Sequence, residues 1–147
     1  MAAVQIIVGS VSGTALEVAE AVADTLTAHG HQVRINARFQ KGDLQDAQEV
    51  LLICTSNTGM GDLPMNIVPF YEHLKNDYPA LAGRRYGVIN LGDSSFPNFA
   101  QAGKTLDEAV ADLGAVRIGE PLVIDSIFTN DPASDASDWA NEWSTLL

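Results

Sequence analysis

Short runs of β-branched and apolar residues alternate along this chain with longer stretches whose apolar positions recur at helical spacing. That alternation constrains the fold more than any single motif. Val4 to Val8 predicts a first strand, and Leu16, Ala19, Val22, Ala23 and Leu26 then share one helical face that Gly30 closes. Gln32 to Asn36 reads as a second strand and Val50 to Cys54 as a third, continuously apolar as a strand buried on both faces of a parallel sheet should be. Pro64 suits the first turn of a second helix, whose inward stripe is Ile67, Phe70, Tyr71 and Leu74 before Pro79. Tyr86 to Leu91 is strand four. Phe99, Ala102, Leu106, Ala109, Val110 and Leu113 mark a third helix stopped by Gly114. Val116 to Ile124 supplies one fifth strand, and Trp139, Trp143 and Leu147 share a face of the last helix. The pattern predicts a single α/β domain over residues 1–147, a doubly wound five-stranded parallel sheet with helices on both faces.

Composition removes whole classes of partner. Eight Lys and Arg against nineteen Asp and Glu leave a net charge of −11 and a pI near 4.3, which argues against nucleic acid and against an anionic membrane surface. No apolar stretch approaches the ~20 residues of a membrane span, and Met-Ala-Ala-Val-Gln lacks a basic start followed by an apolar block. The expectation is a chain mature from residue 1. A lone cysteine, Cys54, cannot form an internal bridge and fits a reducing cytoplasm.

Both common doubly wound strand orders bind ligands outside the carboxyl ends of the strands where the winding reverses, which directs attention to the loops after strands one, three and four. The first, Ser10-Val11-Ser12-Gly13-Thr14-Ala15, brings hydroxyls and a glycine to a helix start and carries no charge. Hydroxyls, free N–H groups and the helix dipole could hold a phosphate dianion there; an ordinary helix cap would use the same residues. Thr14-Ala15 stands where a Walker A loop needs Lys-Ser/Thr, Val11 where a nucleophile elbow needs serine, and Pro64 where the dinucleotide fingerprint needs its third glycine. A phosphoacceptor receiver would need an acidic residue after strand one and an aspartate ending strand three, where Gly9-Ser10 and Cys54-Thr55 stand. The loop after strand three, Thr55 to Pro64, has Gly59 and Gly61 astride Met60, and the loop after strand four, Asn90 to Phe99, is polar with two aromatics.

In register, Ser-x-Ser-Gly-Thr-Ala, Thr-Ser-x-x-Gly-x-Gly-Asp-x-Pro and Leu-Gly-Asp-Ser-Ser-Phe-x-x-Phe resemble the three FMN loops of flavodoxins and of the FMN domains of diflavin reductases. Nearly the whole chain is covered, and with no room for an inserted subdomain it is similar to a short-chain, MioC-like flavodoxin. The resemblance implies the flavodoxin-like strand order 2-1-3-4-5, FMN as cofactor, and a low-potential electron carrier with no catalytic residues and no metal. It implies that Ser10, Val11, Ser12, Gly13, Thr14 and Ala15 wrap the FMN phosphate. Ser56, Asn57, Thr58, Gly59, Met60 and Gly61 would border one face and the N5 edge of the flavin. Leu91, Gly92, Asp93, Asn98 and Phe99 would line the other side, with Phe96 stacked on the ring and Asp125 near it. The Gly59–Met60 peptide would turn its carbonyl to N5–H when the flavin gains an electron.

Two positions depart from the family pattern. Phe96 replaces a tyrosine and keeps its stacking without the hydroxyl; Thr58 replaces a Trp or Tyr, so about 1–3 kcal/mol of ring contact is lost on that face, with weaker FMN binding expected unless the Met60 thioether covers it. Acidic Glu120, Asp125, Asp131, Asp135, Asp138 and Glu142 make the last thirty-odd residues either a solvated face or a surface that steers the chain, as a monomer, to a basic-surfaced flavodoxin reductase and acceptor redox enzymes. A small flavin-dependent quinone or nitro-compound reductase is the alternative. Trp139 and Trp143 read as packing, His29, His31 and His73 as structural, and Cys54 as an inert thiol.

Overall fold

The computed structural model describes residues 1–58 and 60–147. Strands β1 (Ala3–Gly9), β2 (Gln32–Asn36), β3 (Val50–Thr55), β4 (Arg85–Gly92), β5 (Val116–Arg117) and β6 (Leu122–Asp125) alternate with α1 (Thr14–Ala28), α2 (Val68–Asp77), α3 (Gln101–Asp112) and α4 (Pro132–Trp143). The sheet is parallel in the order β2-β1-β3-β4-β5, with β6 following β5 along the same outer side of β4.

Strand pleating sorts the core into two layers, because successive side chains point to opposite faces. Ile6, Val8, Leu52 and Cys54 pack under α1 and α4, against Val18, Val22, Leu26 and Trp143. Ile7, Leu51 and Ile53 pack under α2 and α3, against Phe70, Leu74, Leu106 and Val110. Each large apolar side chain so buried contributes about 1.5–3 kcal/mol relative to exposure.

The expected fifth strand is two short strands. Gly119 turns the chain at φ 73° and Pro121 follows, so the ladder stops after Arg117 and resumes at Leu122. The indole N–H groups of α4 use the gap: Trp143 donates to the Ile118 carbonyl at 3.0 Å and Trp139 to the Glu120 carbonyl at 3.1 Å, their rings stacked 5.2 Å apart. The second helix also starts later than its pattern predicts. Pro64 precedes a 3₁₀ turn, Met65–Ile67, and Pro69 sits in the first turn of α2.

His31 is buried between the chain's two ends. Its Nδ1 accepts the Ala2 N–H at 3.0 Å, so Nε2 carries the proton and reaches Ser144 Oγ at 3.0 Å. Burial, then the nearby N-terminal ammonium and His29, lower its pKa from 6.5. Between that lowered value and 6.5 the unfolded chain binds the proton that the folded chain refuses, so stability falls as pH drops through this window. Urea unfolding from about pH 7.5 down to about pH 5 should show that slope, and His31→Gln should remove the part of it that His31 causes.

Candidate functional site

Three connections meet at the carboxyl edge of the sheet: residues 10–13 after β1, 56–67 after β3 and 93–100 after β4. Between them lies a cleft of about 210 Å³. Its walls are Ser12, Thr14, Ser56, Asn57, Leu91, Gly92, Asp93, Ile124, Ser126 and Pro132. Seven of these were marked by the sequence; Ile124, Ser126 and Pro132 were missed, because the switch-point rule points to the loops after strands one, three and four and not to the end of the fifth.

The first loop is built without a side-chain cap on its helix. Gly13 stands at the N-cap of α1 at φ 94°, where a left-handed backbone favours glycine, and the hydroxyls of Ser12 and Thr14 are not spent on capping. Ser10 Oγ instead accepts the Gly13 N–H at 2.9 Å. Ser12 and Thr14 lie hydroxyl to hydroxyl at 3.5 Å. Among the described residues, the N–H groups of Val11, Ser12, Thr14, Ala15 and Leu16 have no acceptor. Orphan amides at a helix start, at the positive end of its dipole, attract an anion. The whole loop is anchored by a residue the sequence reading passed over. Asn66 accepts the Ser10 N–H at 2.9 Å and donates to the carbonyls of Val8 at 3.0 Å and Ala37 at 3.2 Å, bracing the loop against the ends of β1 and β2. Its only sequence signal is a carboxamide beside the Pro64 turn.

In the second loop, Ser56 is held to Gly9 by its N–H at 2.8 Å, and Thr58 folds back on its own loop, accepting the Asp62 N–H on its hydroxyl at 3.0 Å. Met60 is 71% exposed. Gly59, and with it the Gly59–Met60 peptide singled out by the family resemblance, lies outside the described residues. Gly61 is buried against Asn98. In the third loop Phe96 is 52% exposed. Phe99 lies half-buried on Gly92, where a Cβ would come within 2.9 Å of its ring, so it remains in the loop and α3 begins only at Gln101. Asn57 joins the two loops: its Oδ1 accepts the Ala102 N–H at 2.9 Å and its Nδ2 donates to the Asn98 carbonyl at 3.0 Å. Asp125 accepts the N–H groups of Ser94 at 3.2 Å and Ile127 at 3.1 Å; the Ser94 hydroxyl first, and then these amides, hold its carboxyl below the usual range. Its bonds fasten the third loop to the turn after β6. Val11 is 67% exposed at the tip of the first loop.

The other reactive types are occupied elsewhere. Cys54 is buried under α1, where its thiol donates to the Ala15 carbonyl at 3.5 Å and burial pushes its pKa up to about 12. His73 contacts Asp77 at 2.7 Å, and His29 contacts Asn141 at 2.8 Å. Among the described residues, no group of three His, Cys, Asp or Glu is arranged to hold a metal, and no helix is long and apolar enough to cross a membrane.

Strand order and cleft position together define the flavodoxin-like class of α/β proteins, with the site at the topological switch point. The chain belongs to the flavodoxin family: the family model described as Flavodoxin matches residues 6–139. It is 39% identical over 151 residues to Flavodoxin YqcA of Escherichia coli strain K12, covering 100% of this chain and 99% of that one. It is 36% identical over 146 residues to the sulfite reductase [NADPH] flavoprotein alpha-component of Neisseria meningitidis, a match to 98% of this chain but 24% of that protein. The solved structure of a point mutant of flavodoxin from Pseudomonas aeruginosa superposes with a TM-score of 0.91 at 38% identity, covering 98% of this chain and 97% of that one. Family membership implies a bound flavin. The donor set fits one: neutral hydroxyls and orphan amides for a phosphate, and exposed Phe96 and Met60 on the third and second loops for an apolar ring.

Proposed function

We propose that this protein is an FMN-dependent, low-potential electron carrier that shuttles single electrons between a basic-surfaced reductase and acceptor redox enzymes. The observation that carries the reading is the row of unpartnered amides at the start of α1, opening beside Ser12 and Thr14 into a cleft shared by the three loops. FMN, when bound, supplies the one-electron chemistry. Ser10 to Ala15 would hold its phosphate through N–H and O–H donors, with no cation needed. Phe96 would stack on one side of the ring, and Met60 would shield the side where Thr58 provides no aromatic. Ser56, Asn57, Thr58, Gly59 and Gly61 would border the N5 edge, and Leu91, Gly92, Asp93, Asn98 and Phe99 would line and support the other wall.

No Lys or Arg stands in any of the three loops, and the net charge is −11. Added negative charge on the ring therefore gains no ion pair, and the second electron enters only at low potential. The same acidity, with none of the six carboxylates from Glu120 to Glu142 facing a Lys or Arg of that segment, favours a basic partner. We place the chain in the cytoplasm, as a monomer.

The test is a titration of the purified protein with FMN, followed by stepwise reduction with dithionite and electron delivery from a flavodoxin reductase at rising salt. Stoichiometric FMN binding, two separate one-electron steps and a delivery rate that falls with salt are expected. A protein that ignores added FMN, or one that oxidises NADPH steadily with no partner, would overturn the carrier assignment.

A further inference from the structure

We infer that Asn57 and Asn98 are positioning residues that lock the second and third loops into one body and hold fixed the peptide beyond the Gly59–Met60 bond; the flavin side of this inference rests on the FMN reading above. Asn98 adopts φ 59°, a left-handed conformation that Asn tolerates better than other side chains with a Cβ. From that turn its carbonyl faces Asn57 Nδ2 at 3.0 Å, while its own Nδ2 donates to the Met60 carbonyl at 3.1 Å. Asn57 Oδ1 takes the Ala102 N–H at 2.9 Å, one of the orphan donors in the first turn of α3. Two side chains thus make two hydrogen bonds from one loop to the other and a third from the second loop to the first turn of α3. The loops also touch. A Cβ on Gly61, which sits at φ 87°, would come within 2.6 Å of Asn98 Cβ, so only glycine lets the two backbones approach this closely.

The bonds fall on either side of the peptide that the family resemblance singles out. The Thr58 carbonyl accepts the Gly61 N–H at 2.9 Å, and the Met60 carbonyl accepts from Asn98. With both neighbours held, a rearrangement of this loop on flavin reduction has the Met60–Gly61 peptide as its fixed point, and that point is set from the opposite loop. A clasp of this kind acts unequally on the oxidised and reduced flavin, because it fixes the Met60 carbonyl next to the peptide that the family resemblance would have turn on reduction. A merely structural brace would weaken both redox forms alike.

Asn98→Gly tests the clasp, since glycine accepts the left-handed backbone while the Nδ2 donor and the side chain's contact with Gly61 are deleted. The expected result is an FMN dissociation constant raised about fivefold for the oxidised protein, the loss of roughly one hydrogen bond, and raised further for the reduced protein, so that the first one-electron midpoint potential falls. Asn57→Asp keeps the acceptor for Ala102 and deletes the donor to Asn98; because its carboxylate beside the cleft lowers the potential by charge alone, this variant is read by hydrogen exchange. Amide hydrogen exchange on the full chain without FMN provides the second readout. Either substitution should speed exchange in both loops, at Gly61 and Asp62 as well as at Ala102. Equal loss of affinity in every redox state with unmoved potentials would overturn the positioning role. Faster exchange confined to the substituted residue's own loop would overturn the coupling. If the unaltered protein takes no FMN, the carrier assignment falls and the flavin role of the clasp falls with it, while exchange still decides whether the loops move together.

Discussion

Ser12→Asp is expected to abolish FMN binding while leaving the fold intact or slightly stabilised. Ser12 is exposed at the mouth of the cleft, and among the described residues its hydroxyl has a hydrogen-bond partner only in the Thr14 hydroxyl, at 3.5 Å. A carboxylate there would face the phosphate across a site with no cation in any of the three loops. Two unit charges 4 Å apart at an effective dielectric of 20 repel by about 4 kcal/mol, which is about a thousandfold in affinity before the second phosphate charge is counted. The same carboxylate sits at the positive end of α1, where it stabilises the helix by about 0.3–1 kcal/mol. Fluorescence titration with FMN and thermal unfolding of the variant therefore move in opposite directions. Ser12→Ala, which only deletes a donor to a charged group, should weaken binding about tenfold. Near-normal affinity in the aspartate variant would mean that the phosphate is not held at the start of α1.

Trp143→Ala is expected to remove about 3–5 kcal/mol of stability, a large share of the 5–15 kcal/mol typical of a domain. The ring is 2% exposed. It lies directly on Gly87 of β4, where a Cβ would be 2.8 Å from it, and it stacks on Trp139. Its indole N–H is the donor for the Ile118 carbonyl in the gap between β5 and β6. Truncation opens a cavity under α4 and leaves that carbonyl without its partner. Trp143→Phe keeps most of the packing and loses only the donor, so about 1–3 kcal/mol should go. Urea denaturation of the two variants separates the contributions, and a cost below about 1 kcal/mol for the alanine variant would contradict the packing described here.

The sheet and its helices were legible because burial on two faces writes itself into composition: Val50 to Cys54 reads as a central strand, and each helix shows one apolar stripe. The break in the fifth strand was not. Val116 to Ile124 carries a β-rich composition across Gly119 and Pro121; the left-handed turn at Gly119 interrupts the ladder, and two distant indoles take the carbonyls it leaves free. In the site, the loop glycines and hydroxyls announced the first wall, since few other residue types suit a neutral anion cradle. Asn66, Asn57 and Asn98 show the limit of that reading. A carboxamide that braces one backbone against another has the same spelling as one exposed in a turn, and only the fold says which carbonyl it reaches. Phe99 was read as the start of a helix because its spacing continues the stripe of α3; its contact with Gly92 keeps it in the loop.

The two-residue β5 and four-residue β6 also leave the outer border of the sheet chopped into lengths too short to template a neighbouring molecule. A straight, uninterrupted border would present a continuous ladder of unpaired amides, the substrate of fibril growth. Here the kink at Gly119, capped from above by α4, denies an incoming strand a register along this border.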